Sequence, residues 1–296
     1  MARRVDTHTA IYSMLALLLL LASWLGLMPP IQIQAIILAG LVVLLGLPHG
    51  ALDPLVARRA GLANGGKGML LFLLAYIALA GIALLAWVIA PYLSLLLFLA
   101  ASAWHFAGDW RGRLPRGRPI SGGLAVILAP IAFHPAEVTS IFTTLTGAQV
   151  ETLVQAVGYP SLWVVSAIGI IALSDMLRGR WAAIEIALSL GLAWALPPLV
   201  FFCVYFCGLH SPRHVQQALR SMSVTRSTAG LTMVVFSLLA GIGAAAFYLY
   251  GPGTQHDKTL KAVFIGLAVL TVPHMILIET WQRRTGDPPL RHQQAG

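Results

Sequence analysis

Charge is what this sequence has least of. Of 296 residues only 10% are Asp, Glu, Lys or Arg, against roughly 25% in a soluble globular domain. With 58% hydrophobic residues and a mean hydropathy of +0.82, the chain is neither a soluble enzyme nor a disordered segment. It reads as an integral membrane protein. Cysteine is nearly absent too. Cys203 and Cys207 sit four apart in one apolar run, a spacing that seldom meets disulfide geometry within a helix, and they read as small packing residues. Nothing therefore requires an oxidising compartment. Acidic residues are outnumbered 10 to 19, for a net charge of +9. In a soluble protein that surplus would suggest nucleic acid, but in a membrane protein the placement of charge matters more than its sum, and no nucleic-acid partner is expected. Sequence repeats, low-complexity tracts and soluble domains are also missing.

What is present is a series of long apolar runs. About 20 apolar residues cross a bilayer as a helix, and Pro, Gly and Arg mark the breaks. The runs fall at residues 10–28, 31–50, 68–90, 92–109, 120–134, 161–177, 181–196, 199–219, 228–250 and 260–281. The expected fold class is all-α, a polytopic membrane helix bundle of about ten transmembrane helices forming a single transmembrane domain over 1–296. The first run follows Arg3 and Arg4 but is longer than a signal-peptide core and lacks a cleavage site, so it reads as a retained span. With the N-terminus inside, ten spans place all but Lys258 and Lys261 of the 19 Lys and Arg residues on one side. Cytoplasmic loops collect such residues. The segregation supports ten spans, both termini cytoplasmic, and a multi-pass protein of the cell (inner or plasma) membrane. The predicted external segment 135–160 has two Glu and no Lys or Arg, and is expected to carry a short interfacial helix.

Of nine histidines, four read as solvated or interfacial: His8, His134, His256 and His292. The other five, His49, His105, His210, His214 and His274, fall in or just below the inner half of the membrane on four spans. Counting from Pro30, Pro91 and Pro198 at 1.5 Å per residue puts His49, His105 and His210 roughly 18 to 28 Å below the outer boundary. His210 and His214 share one helix face, and the intervening Pro212 is expected to tilt their rings by distorting the helix. A lone histidine in a membrane helix is commonly satisfied by an interhelical hydrogen bond. Five at one depth point instead to a shared site, because ionisable groups in membrane helices are costly. An all-imidazole set without thiolate suits iron, zinc or copper and adds no negative charge in a low dielectric. The stretches PHGALD (48–53) and WHFAGD (104–109) both read H-x-x-x-D. Asp53 and Asp109 are thus candidate partners for the second ring nitrogen of a ligand, or else pair with Arg58, Arg59, Arg111 or Arg113 at the rim.

Competing metal chemistries can be compared by what they require. An intramembrane zinc protease needs H-E-x-x-H, which does not occur. A di-iron desaturase needs several H-x-x-x-H and H-x-x-H-H clusters, and only His210 with His214 fits. A bis-histidine haem protein leaves histidines over. Mononuclear iron with open positions for dioxygen fits best.

Taken in order, GLPHGALD (46–53), SAWHFAGD (102–109), FCGLHSPRH (206–214) and VPH (272–274) resemble the integral-membrane β-carotene 15,15'-dioxygenases of the Brp/Blh type, found beside microbial rhodopsins. The similar span layout covers nearly the whole chain. At one position the chain departs from the family pattern, with Ala107 standing where Gly is expected after Phe106. The resemblance implies oxidative cleavage of the central double bond of β-carotene by dioxygen, giving two all-trans-retinal. It implies an Fe(2+) cofactor held by His49, His105, His210 and His214. His274 becomes a candidate fifth imidazole, a hydrogen-bonding support for a ligand, or the replacement for one of the four. Trp104, Phe106, Tyr205 and Phe206 adjoin the ligands and could line a polyene tunnel by dispersion and stacking. The implied partners are β-carotene and dioxygen as substrates, the lipid bilayer that dissolves the carotenoid, and a functional link to a microbial rhodopsin.

The alternative is a membrane metal- or haem-binding carrier or transporter. That would need a polar path through the outer half of the bundle, where spans two, four and eight are almost uniformly apolar. A retinal-binding rhodopsin is disfavoured because its Schiff-base Lys must lie in mid-membrane, and Lys67, Lys258 and Lys261 fall at span ends.

Overall fold

The computed structural model describes residues 7–222 and 224–285. Arg3, Arg4, Arg291 and His292 lie outside them. Among the described residues every regular element is a helix: α1 (Thr7–Trp24), α2 (Ile31–Leu41), α3 (Leu47–Ala51), α4 (Asp53–Arg59), α5 (Gly65–Ile89), α6 (Pro91–Phe106) and α7 (Pro119–Phe133) make the first half. Then come α8 (Pro135–Thr146), α9 (Glu151–Leu177), α10 (Ala183–Ala195), α11 (Pro198–Tyr205), α12 (Ser211–Ser221), α13 (Arg226–Tyr250) and α14 (Gln255–Thr285). Prolines open α6, α7, α8 and α11, where a missing N–H costs nothing and the fixed φ suits the first turn.

Seven of the expected spans coincide with helices long and apolar enough to cross a membrane, or eight if the bent pair α7 and α8 counts as one. The remaining segments are shorter. Helix α7 has 15 residues and α10 has 13, about 20 Å each at the usual rise, short of a hydrocarbon core of about 30 Å. The run 199–219 is α11 and α12 with a distorted turn between them. The segment 135–160 does carry a short helix, α8, which turns 106° from α7. The sequence-based start of span six at residue 161 is displaced, because α9 runs unbroken from Glu151 through Pro160.

Polar ties show which helix ends lie together. Fully buried Glu185 at the start of α10 accepts from Arg113 at 2.8 and 3.0 Å, from Arg213 at 2.7 and 3.1 Å, and from Thr9 near the start of α1 at 2.5 Å. At the other end, Ser23 donates to the Ala195 carbonyl at 2.6 Å and His134 Nε2 to that of Trp194 at 3.2 Å. The main core lies where α6, α7, α9, α10 and α11 face one another, whereas the most apolar stretches of α5 and α13 are unburied within the protein. Those two helices form its flank.

Candidate metal centre

Two prolines shape the helices that deliver the histidines. A proline offers no N–H to the carbonyl four residues back, and its ring presses against that carbonyl. Ahead of Pro48 the chain winds as a π-helix over Val42–Gly46, and ahead of Pro212 it does so over Phe206–His210. The wider i→i+5 winding accommodates the missing bond and rotates the next helical turn about the axis. The expected distortion at Pro212 takes this form. Ser211 ties the two wide turns together by donating to the carbonyls of Leu45 and Gly46.

The third arm is α6, which tightens into a 3-10 turn over Ala107–Trp110 that carries Asp109. Helix α7 fixes this turn by close approach: a Cβ on Gly123 would lie 1.9 Å from the Ala103 carbonyl oxygen, and one on Gly122 would lie 2.2 Å from the Trp110 ring. Only glycine lets the two backbones meet. The fourth arm is α14, with His274 next to the internal Pro273.

These arms bring all five membrane-level histidines together. His49, His105 and His210 present ring nitrogens within 4.8 Å of one another. The His214 ring lies tilted against that of His210 with centroids 4.4 Å apart, and the His274 ring lies 5.3 Å from those of both His49 and His105. Hydrogen bonds fix the rings. His49 Nδ1 donates to the Gly46 carbonyl at 2.5 Å. His210 Nδ1 faces Asp109 Oδ2 at 3.2 Å, and His274 Nδ1 faces both Asp53 oxygens at 2.8 and 3.0 Å. His214 Nε2 stands 3.5 Å from Asp109 Oδ1.

Each aspartate is therefore used across helices and not by the histidine four residues before it. Of the alternatives, imidazole prevails over the rim arginines: Arg113 pairs with Glu185, and Arg111 lies 4.5 Å over the Trp104 ring. Each carboxylate also accepts from a tyrosine hydroxyl, Asp53 from Tyr76 at 2.9 Å and Asp109 from Tyr205 at 2.6 Å.

The donor set fits a metal ion. The Nε2 atoms of His210 and His274 are buried without a hydrogen-bond partner, a state that costs roughly 1–3 kcal/mol per group when nothing compensates it. A ring whose Nδ1–H is held by a carboxylate or carbonyl presents its Nε2 lone pair to a cation. Cys203 and Cys207 are free and buried, and take no part in the cluster.

A cavity opens beside the cluster, with His49, His105 and His274 in its wall. Its other walls are largely hydrocarbon and aromatic, including Phe98, Phe106, Phe202 and Phe206. A second, smaller and almost wholly apolar cavity shares Phe98, Ser102, Phe106 and Phe202 with the first. Of the four expected lining aromatics, Phe106 and Phe206 line cavity walls. Trp104 and Tyr205 do not. Trp104 is 55% exposed on the outside, and Tyr205 is fully buried with its hydroxyl on Asp109. On α6 successive side chains point about 100° apart, which turns Trp104 outward when His105 faces inward.

Sequence reasoning missed Tyr76, Ser211 and the Glu185 cluster. Glu185 carried a signal, as a single acid inside the apolar run 181–196. Tyr76 and Ser211 carried none, since both residue types are ordinary in membrane helices.

Comparison with known proteins bears on this centre. The sequence family described as beta-carotene 15,15'-dioxygenase matches residues 40–282, a range that holds all five clustered histidines. A relative named "Beta-carotene 15,15'-dioxygenase", from uncultured marine bacterium 66A03, is 35% identical over 266 residues, covering 81% of this chain and 90% of its own. Another, "Probable beta-carotene 15,15'-dioxygenase Blh" of Halobacterium salinarum, is 26% identical over 285 residues, covering 82% of each chain. No solved structure matches.

Proposed function

The chain belongs to the beta-carotene 15,15'-dioxygenase family, and from that premise we propose that it cleaves β-carotene at the central 15,15' double bond with dioxygen, using one Fe(II) held by the histidine cluster. It is a carotenoid-cleaving dioxygenase. The reaction breaks one C=C bond and forms two C=O bonds, so both atoms of dioxygen end in the two molecules of all-trans-retinal and no external reductant is consumed.

One observation carries the iron reading: His49, His105 and His210 bring their ring nitrogens within 4.8 Å of one another beside a largely apolar cavity. Bound Fe(II) would supply the one-electron chemistry that lets dioxygen react with a closed-shell polyene. The chain's own residues do the rest. The imidazoles are neutral donors, while Asp53 and Asp109 hold two of their Nδ1–H groups and offset part of a divalent charge. The Phe-rich walls orient the polyene by dispersion and exclude water from the reacting bond. No protein nucleophile is needed. The substrate partitions into the bilayer of the cell membrane, and a retinal-binding rhodopsin would consume the product.

The test is expression in a carotene-accumulating host. The expected result is loss of orange colour with retinal as the product on chromatography, abolished in His210→Ala with the variant still in the membrane fraction. Retained colour with a well-expressed wild type, or products from an off-centre bond, overturns the reading.

A further inference from the structure

We propose that the smaller cavity is a product site for retinal, in which the Ser102 hydroxyl donates a hydrogen bond to the aldehyde oxygen; this rests on the cleavage reading above. The wall of that cavity comes from α6, α7, α8 and α11, with Phe264 of α14. Among the described residues that line it, Ser102 alone has a polar side chain. Ser102 stands three residues before His105 and four before Phe106 on α6, so all three share one helix face. It borders both cavities. Leu95, in the same wall, lies about 10 Å farther from the histidines along the helix. The pocket is therefore polar at the end beside the cluster and hydrocarbon beyond it.

The hydroxyl is buried and unengaged. Ser102 is 4% exposed. A helical serine can donate to the carbonyl four residues back, as Ser13, Ser166 and Ser189 do. Among the described residues no hydrogen bond engages Ser102 Oγ, and an unpaired hydroxyl among hydrocarbon is unfavourable. A water molecule needs two or more polar partners to be held in a buried space, and the smaller cavity offers one.

β-Carotene has no polar atom with which to answer this group. Cleavage makes the first ones, two aldehyde oxygens on the carbons of the broken bond, and it makes them beside the cluster. A retinal lying along α6 from Ser102 toward Leu95 sets its C=O at the polar end of the pocket. Its polyene and ring then lie against Phe98, Leu99 and Phe202. The complementarity is to product and arises only once the bond is broken.

The experiment uses the full chain purified in detergent and stripped of metal, so that binding is read without turnover. It is titrated with all-trans-retinal and with axerophtene, the hydrocarbon of the same ring and chain, by quenching of tryptophan fluorescence. Wild type should prefer retinal, and Ser102→Ala should lose about 3–10-fold in retinal affinity, the worth of one hydrogen bond. Its affinity for axerophtene should stay within about twofold of wild type. The C=O stretch of bound retinal should lie lower in wild type than in Ser102→Ala, and Ser102→Thr, which keeps the hydroxyl, should restore it. Leu99→Trp, which fills the pocket and leaves Ser102 in place, should abolish retinal binding. Equal loss for both ligands in Ser102→Ala, an unshifted C=O stretch, or full retinal affinity in Leu99→Trp overturns the proposal. Ser102-dependent retinal binding by a protein that leaves β-carotene uncut sinks the proposed activity and leaves the site standing. Cleavage of β-carotene with Ser102-independent retinal binding does the reverse.

Discussion

Single side chains at this centre act mainly by aiming others. Asp109 lines neither cavity, yet it faces His210 and His214 and accepts from Tyr205. Asp109→Asn keeps the shape but puts an amide where the Nδ1–H of His210 requires an anion. Outer partners of this kind typically contribute 10–100-fold in metal affinity. Iron per chain, measured at limiting Fe(II), should fall by about that factor while the variant elutes as wild type. Ser211 works on the backbone: Ser211→Ala removes the tie from the second π turn to the Leu45 and Gly46 carbonyls. One such bond is worth about 1 kcal/mol, so thermal unfolding in detergent should shift down slightly, with His49 losing its register before the fold is lost.

At the scale of elements, the centre depends on contacts that sequence reading could only partly reach. The histidines were legible because a polar residue in a run of Leu and Ala is conspicuous, and their common depth followed from counting residues along spans. The long spans were legible for the same reason. Helices α7 and α10 were harder, since their apolar runs do not show whether they are long enough to cross alone or lean on neighbours. The π turns were hidden because Pro48 and Pro212 announce a distortion without its kind. Cross-helix pairing was hidden altogether: H-x-x-x-D suggests a local partner, whereas Asp53 serves a histidine 221 residues away.

Two substitutions probe how far the centre depends on helix packing. Gly123→Leu forces α7 off α6, because even a Cβ would sit 1.9 Å from the Ala103 carbonyl oxygen. Overpacking typically costs about 1–3 kcal/mol, and here backbone must move, so iron content should fall together with thermal stability. Glu185→Gln leaves Arg113 and Arg213 buried around a neutral amide. Removing one member of a buried ionic cluster costs about 3–5 kcal/mol. The variant should lose its sharp thermal transition, and an unchanged midpoint would show that the cluster is dispensable.

Across the whole molecule, burial is uneven in a way that suits a hydrocarbon substrate. The flanking helices α5 and α13 supply Phe72, Tyr76, Phe236 and Ala240 to the larger cavity. The smaller cavity begins at the shared wall of Phe98, Ser102, Phe106 and Phe202 and continues along α6 as far as Leu95. From Leu95 to His105 is about 15 Å at the helical rise. Central cleavage, as proposed above, would need comparable space on both sides of the reacting bond, and the smaller cavity adjoins the larger one at that shared wall. Leu99 lines only the smaller cavity and is half-buried. Leu99→Trp should therefore fill that space, leave iron binding at the wild-type level, and lower β-carotene turnover about tenfold or more through overpacking of the bound chain. Initial rates of retinal formation against iron per chain make the comparison. Turnover equal to wild type at equal iron would mean that the substrate lies wholly within the larger cavity.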